Sequence, residues 1–207
     1  MIDLYYAAPS IYGRKVLAVL DEKNLDYTIK NMAWGDNKKE DYLKLNPNGE
    51  FPTMTDDGET IYESTAMVEY LNDEYPEPAL LPEASAERAR VRIVVAFCDL
   101  HFYRSLIKVL LHKKASEGNE PTAELIQGVA TDIARLDTYL GKQEFIAGKF
   151  SLADCTVMAG LATVEAFGIT DKVGITPKLR QYWERLKRRP GYKGASLFTV
   201  KEEQPAA

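Results

Sequence analysis

Residues 76–85 read PEPALLPEAS, and the three prolines in that stretch separate two unlike halves of the chain. Proline locks φ and offers no N–H, so neither a helix nor a central strand continues through such a segment. Upstream, short apolar runs alternate with amphipathic stretches. Downstream, every apolar pattern has a helical period. A chain divided in this way is confined to two layers of different construction, a small α/β unit followed by an all-helical one.

In the first unit, assigned to 1–78, IDLYY is a compact strand and the turn APS offers Ser10 as a helix N-cap. Val16, Val19 and Leu20 then recur at i, i+3 and i+4, the spacing of one helical face. DYTIKNM predicts a second strand with Tyr27 and Ile29 on one side. KKEDYLKLN predicts a short helix that closes before Pro47. TMTD and TIYE flank Asp57-Gly58 and form a hairpin, and STAMVEYLNDEY is a helix burying Met67, Tyr70 and Leu71. The order is β-α-β-α-β-β-α.

Residues 79–85 form the linker, and 86–198 the helical unit. Residues 87–114 give one long uninterrupted helical pattern. Leu125, Val129, Ile133, Leu136 and Leu140 mark a second helix. SLADCTVMAGLATVEAF is apolar nearly all round, which predicts a central buried helix. Ser151 and Asp154 at its start have the spacing of a capping box. PKLRQYWERLKRR is amphipathic through Leu179, Tyr182, Trp183 and Leu186, and the tail KEEQPAA is polar and loose.

Charge and composition remove several functions. The chain has 26 basic and 31 acidic residues, and no basic run interleaves with aromatics, which argues against nucleic-acid binding. No stretch approaches the roughly 20 apolar residues that span a bilayer, and no secretory leader is visible. Cys98 and Cys155 make no CxxC pair, as expected in a reducing cytoplasm. His101 and His112 lack partners at ligand spacing, so no metal site is expected.

One constellation carries chemistry. Phe51-Pro52 precedes the third strand, and Glu63-Ser64 follows the hairpin. A β-α-β-α-β-β-α order with an X-Pro bond at that point is the pattern of a thioredoxin-like fold, where the proline is usually cis. The residue before it then offers its backbone to a peptide-like ligand as a short β-addition. A helix beginning near Ser64 attracts a carboxylate through its free N–H groups and dipole, and Glu63 suits an ammonium group. Singly, Pro52 can end a loop and Ser64 can be only a cap. Together they fit the amino-acid end of a short peptide.

Over nearly its whole length the chain resembles the cytosolic glutathione transferase superfamily, of the serine type. The resemblance is carried by LYY in the first strand, PSIYGRKV at the first helix, YLKLNPNGEFP before the proline, ESTAMVEYL at the third helix and FIAGKFSLADC in the helical unit. It implies that Phe51 binds the cysteinyl backbone of glutathione with Pro52 cis, that Glu63 and Ser64 hold the γ-glutamyl amine and carboxylate, and that Asn37 and Lys38 meet the glycyl carboxylate. Lys38 can equally be a solvated surface charge. Glu50 departs from the neutral residue usual before the X-Pro pair and would repel an anionic ligand unless paired.

A free thiol is mostly protonated at neutral pH, and the chemistry needs its thiolate. Ser10, in the turn before the first helix, matches the catalytic position of many relatives. Its hydroxyl can cap the helix and still donate to sulfur. Tyr12 is the alternative donor. The resemblance further implies glutathione as co-substrate without a metal, a small electrophilic or peroxide second substrate, and a cytoplasmic homodimer. Reduction of peroxides or disulfides by the bound thiolate is a neighbouring activity. A binding or assembly module without turnover is the rival class. The second substrate would sit between the two units, against Tyr12, Phe97, His101, Arg104 and Ser105, which helical spacing places along the long helix or, for Tyr12, at the first helix start. Each of these side chains can also be ordinary core or interface.

Overall fold

A computed structural model describes residues 1–199; the tail 201–207 lies outside the described residues. Four strands form one mixed sheet in the order β2-β1-β3-β4. Strands β1 (Ile2–Tyr6) and β2 (Tyr27–Asn31) are parallel and joined through helix α1 (Ile11–Glu22), with Leu4 opposite Ile29. Strand β3 (Thr53–Asp56) lies antiparallel to β1, and β4 (Glu59–Tyr62) antiparallel to β3. The β3–β4 turn is Asp57-Gly58, both at positive φ (45° and 96°), which matches the right-handed twist of a two-residue hairpin. Helix α2 (Glu40–Leu45) follows a single 3-10 turn (Asp36–Lys38), and α3 (Ser64–Glu74) completes the thioredoxin-like layer.

Residues 79–84 of the linker hold no regular element, Ser85 already opening the next helix, yet the linker is not loose. Leu80 is buried, its N–H donates to Asn72 Oδ1, and its carbonyl accepts from Leu152 N–H at 2.9 Å. The helical layer contains α4 (Ser85–Phe97), α5 (Tyr103–Ala115), α6 (Ala123–Leu140), α7 (Leu152–Ala166), α8 (Pro177–Leu186) and the short α9 (Tyr192–Ala195). No helix among the described residues is long and apolar enough to cross a membrane.

The expected single helix over 87–114 is corrected at one point. Residues Cys98–Phe102 make a π-helical turn between α4 and α5. The rod continues, because Cys98 and Tyr103 keep right-handed helical backbone. A π turn holds an extra residue, so side chains after it are rotated relative to a strict helical period.

Helix α1 is the centre of the molecule. One face packs on the sheet, and the other meets α7 and α9, so even Arg14 and Lys15 are buried. Gly13 is required by proximity: a Cβ there would lie 2.4 Å from the Tyr6 ring. Gly160 in α7 has the same role, since a Cβ would meet the Phe102 ring at 2.2 Å. The Arg14 guanidinium donates to the carbonyls of Ala195 (2.8 Å) and Ala159 (3.4 Å) and to Thr163 Oγ1 (2.6 Å), and lies over the Phe198 ring. Burial pulls its pKa down to about 10. Helix α7 is buried along nearly its whole length and starts with the Ser151–Asp154 capping box. Asp154 also accepts from Ile146 N–H (3.0 Å) and Tyr182 Oη (2.8 Å), tying the preceding loop and α8 to the helix start.

Candidate functional site

Between the two layers lies a cleft of about 660 Å³. Its lining includes Ser10, Tyr12, Asn37, Phe51, Pro52, Glu63, Ser64 and Arg104, eight of the residues singled out in the sequence. The local structure explains why each faces it. Ser10 ends the turn after β1, which contains a cis Ala8-Pro9 bond, and caps α1 by accepting from Gly13 N–H at 3.3 Å. A hydroxyl accepting one bond keeps its own proton for another acceptor. Ser10 therefore offers a donor at the positive end of α1, where an anion is favoured.

The Phe51-Pro52 bond is cis. Neither the N–H nor the C=O of Phe51 has a partner among the described residues, although the loop around it is well bonded. The Tyr42 hydroxyl donates to Glu50 O at 2.7 Å, and Asn46 Nδ2 to the same carbonyl at 3.0 Å. The Phe51 ring is held edge-on by Tyr42 and Trp34. The loop is tied down on both sides of Phe51, and the Phe51 backbone is left with both its donor and its acceptor unpaired among the described residues.

Glu63 has φ 67° and ψ 108°, a conformation side chains other than glycine rarely adopt. Such strain persists where surrounding structure enforces it, and here it puts Glu63 at the head of α3 beside buried Ser64. Asn48 Nδ2 donates to Glu63 Oε1 at 3.1 Å. No side chain caps α3, so its first N–H groups remain open to a ligand carboxylate.

The other singled-out residues stand differently. Asn37 Nδ2 and Lys38 Nζ both donate to Gly49 O, at 2.7 and 2.9 Å; Asn37 lines the cleft, whereas Lys38 is exposed behind it. Glu50 lines the cleft, and its carboxylate has no partner among the described residues. Phe97, His101 and Ser105 do not line it. Phe97 stacks on His101 and meets Tyr139 of α6, while the Ser105 hydroxyl donates to Asp132 of α6 at 2.7 Å. These three side chains therefore turn toward α6, whereas Arg104, the neighbour of Ser105 on α5, faces the cleft.

Several lining residues carried no clear signal in the sequence. Asp99, within the π turn, accepts both oxygens' worth of bonds from Lys15 Nζ (2.9 and 2.8 Å) and one from Thr65 Oγ1 (2.6 Å). This joins α1, α3 and the helical layer at the cleft floor. Burial lowers the Lys15 pKa, and Asp99 opposes that shift. The only hint had been an acid inside an apolar helical run. Tyr12 packs edge-on against Tyr103, and its hydroxyl points to Asp99 O at 3.4 Å. Burial and then Asp99 raise its pKa, so Tyr12 holds its proton. Trp34 is exposed at the lip and donates its Nε1–H to Ala8 O at 2.8 Å. Opposite, α5 presents Ile107, Leu110, Leu111 and Lys114. Among the described residues no group of acids, histidines and cysteines is arranged to hold a metal ion.

A thioredoxin-like layer whose cis-proline loop and uncapped helix face an all-helical layer across a cleft defines a class of two-layer proteins. Comparison with known proteins identifies the family. Residues 4–79 match the family description "Glutathione S-transferase, N-terminal domain", and 100–190 match "Glutathione S-transferase, C-terminal domain". Glutathione S-transferase 3 of Zea mays is 30% identical over 86% of this chain and 85% of its own. A Stringent starvation protein A homolog of Coxiella burnetii is 29% identical over 98% of this chain and 94% of its own. A delta-class glutathione transferase of Nilaparvata lugens superposes with a TM-score of 0.84 at 27% identity, over 96% of each chain. The chain belongs to the glutathione S-transferase family; its class within that family is unassigned.

Proposed function

We propose that the chain binds glutathione and activates its thiol for attack on an electrophilic carbon. The observation that carries this reading is the convergence of Ser10, the unpaired backbone of Phe51 and the uncapped start of α3 on one cleft. Phe51 with cis Pro52 pairs with the cysteinyl backbone. Glu63 and Ser64 take the γ-glutamyl amine and carboxylate. Asn37 meets the glycyl end, with Lys38 adding positive charge behind it. Ser10 donates to the sulfur, which favours thiolate, and the α1 dipole adds to the effect. Tyr12, protonated and nearby, is the alternative donor. The thiolate then forms the S–C bond and the leaving group departs with the electron pair, chloride in the case of an aryl chloride. Positioning and thiolate formation supply the rate.

The second substrate occupies the cleft between the layers, against Tyr12 and Arg104. Phe97, His101 and Ser105 act in this reading only by shaping the α4–α6 side of that wall. The functional units are 1–78 and 86–198, joined by 79–85. A cytoplasmic homodimer belongs to the same proposal, and exposed Ile93 and Leu100 on the α4 side favour a partner there. Reduction of peroxides or disulfides would use the same bound thiolate.

The Stringent starvation protein A homolog, matched along 98% of this chain, is not named as a transferase, and a binding or assembly module without turnover is the second reading. Calorimetric titration with glutathione, followed by a conjugation assay with 1-chloro-2,4-dinitrobenzene, separates the two. The proposal expects saturable binding and release of chloride with conjugate. Binding without conjugation or thiolate formation would support the module, and absence of both binding and a thiolate signal would remove the enzyme reading and leave the assembly module.

A further inference from the structure

The two walls of the cleft differ in charge. Glu50 and Glu63 stand on the thioredoxin-like side. The helical side carries Arg104 and Lys114, both on α5. The third cation in the lining, Arg14, is buried and gives its Nη1 and Nη2 donors to carbonyls and Thr163, and Asp99 is neutralised by Lys15. Arg104 and Lys114 have no carboxylate partner among the described residues, whereas Arg92 of α4 and Arg135 of α6 are paired with Glu69 and Asp132.

Their spacing is informative. Ten helical residues separate them, about 15 Å along the axis. Between them the same face presents Ile107, Leu110 and Leu111, and Leu111 is 58% exposed. Arg104 marks the inner end, where its charge is felt at the Tyr12 hydroxyl. Lys114 marks the mouth, where its Nζ lies 5.5 Å from the centre of the Trp34 ring. That contact fixes the ammonium over an aromatic face and leaves its N–H donors available. A ligand lying along α5 meets an inner cation beside the reacting centre, an apolar track, and an outer cation beside an exposed indole.

We infer that this cleft selects electrophiles with an apolar body and a carboxylate, the carboxylate being held by Lys114 against Trp34, at the end away from the reacting carbon. Arg104 holds the negative charge that builds on the electrophile during attack. The inference names the substrate class of the transferase reading and rests on it for the chemistry, but the recognition itself is a property of the α5 wall.

Ethacrynic acid and its methyl ester provide a matched pair, with one enone and a carboxylate present or masked. In the reaction the thiolate sulfur bonds to the β-carbon, the alkene pair moves to the carbonyl as enolate, and the proton lost from the thiol returns to the α-carbon. Their saturated analogues lack the alkene and report binding alone. The inference expects kcat/KM and calorimetric affinity to favour the acid by about five- to tenfold, as for a partly screened charge-assisted bond. The preference shrinks as ionic strength rises. Lys114→Gln brings the acid-to-ester ratio to about one, whereas Lys108→Gln, on α5 but outside the cleft lining, preserves it. Equal turnover of acid and ester, or a preference that survives Lys114→Gln, overturns the inference and leaves the transferase reading standing. Absence of conjugation combined with Lys114-dependent binding of the saturated acid supports the inference and overturns the transferase reading. If the saturated acid and ester bind equally or not at all, the inference fails whatever the turnover.

Discussion

The floor and the rim of the cleft both carry charged side chains, but they are used in opposite ways. On the floor, buried Arg14 and Lys15 and half-buried Asp99 are bonded to carbonyls, hydroxyls or one another. Along the walls and out to the rim, Glu50, Arg104 and Lys114 face the cavity without an ion-pair partner among the described residues. A buried charge is tolerated only when it is paired or hydrogen-bonded, so the floor is architecture. An unpaired charge in a cleft retains its capacity for a ligand. The floor charges fix the relative placement of α1, α3 and the helical layer, and the rim charges meet what enters.

If the floor is architecture, breaking it should have the largest effect. Lys15→Met leaves Asp99 and Thr65 without their cation where three elements meet. Loss of one partner of a buried pair costs roughly 3–5 kcal/mol. Denaturant unfolding should show a lower midpoint of that order, with weakened glutathione binding because α3 loses its anchor. A change below about 1 kcal/mol would move Lys15 from the floor to the rim in this comparison.

Asp154 sharpens the same distinction through pH. Burial lifts its carboxyl to about 6, opposed by the bonds from Ile146, Tyr182 and Ser151. The unfolded value is near 3.9, so between about pH 4 and 6 the folded chain binds a proton that the unfolded chain does not. This group's contribution to stability therefore falls as pH rises through that window, by about 3 kcal/mol in total, and is level above it. Unfolding free energies for the parent and Asp154→Asn, measured from pH 4 to 7, should diverge across that interval and run parallel above pH 7. Parallel curves throughout would show that the capping bonds cancel the effect of burial.

The smallest effect belongs to the rim. Glu50→Gln removes an unpaired carboxylate from the wall that receives an anionic peptide. Glutathione affinity should rise by a few fold at low salt and by less at high salt, as expected for an exposed charge. Unfolding should shift by no more than about 0.5 kcal/mol. A loss of affinity would mean that Glu50 accepts a bond from the ligand.

Much of this arrangement was legible in the residues. Periodicity located the sheet, the hairpin and the helices because each buries one face, and the prolines of 76–85 marked the change of layer. Phe51-Pro52 and Glu63-Ser64 were legible because a loop proline and a helix start have local signatures. The π turn was not. Residues 87–114 satisfy a helical pattern throughout, so nothing local marks the extra residue; Phe102 of that turn packs against Gly160 of α7, a contact between distant parts of the chain. Phe97 and Ser105 were misplaced because their partners, Tyr139 and Asp132 of α6, are also distant in sequence. Trp34 and Lys114 were invisible for a related reason: one is a loop aromatic, the other a charge at a helix end, and only the tertiary fold brings them together.

The central claim is that Ser10 converts its cap position into thiol activation. The most direct measurement is the ultraviolet thiolate band of bound glutathione, titrated against pH in the parent and in Ser10→Ala. The account predicts a thiol pKa about one to two units below its free value in the parent, reverting toward about 8.5 in the variant, with only about 1 kcal/mol lost from stability through the missing cap. A depressed pKa unchanged by the substitution would contradict the assignment and move the donor to Tyr12 or the α1 backbone.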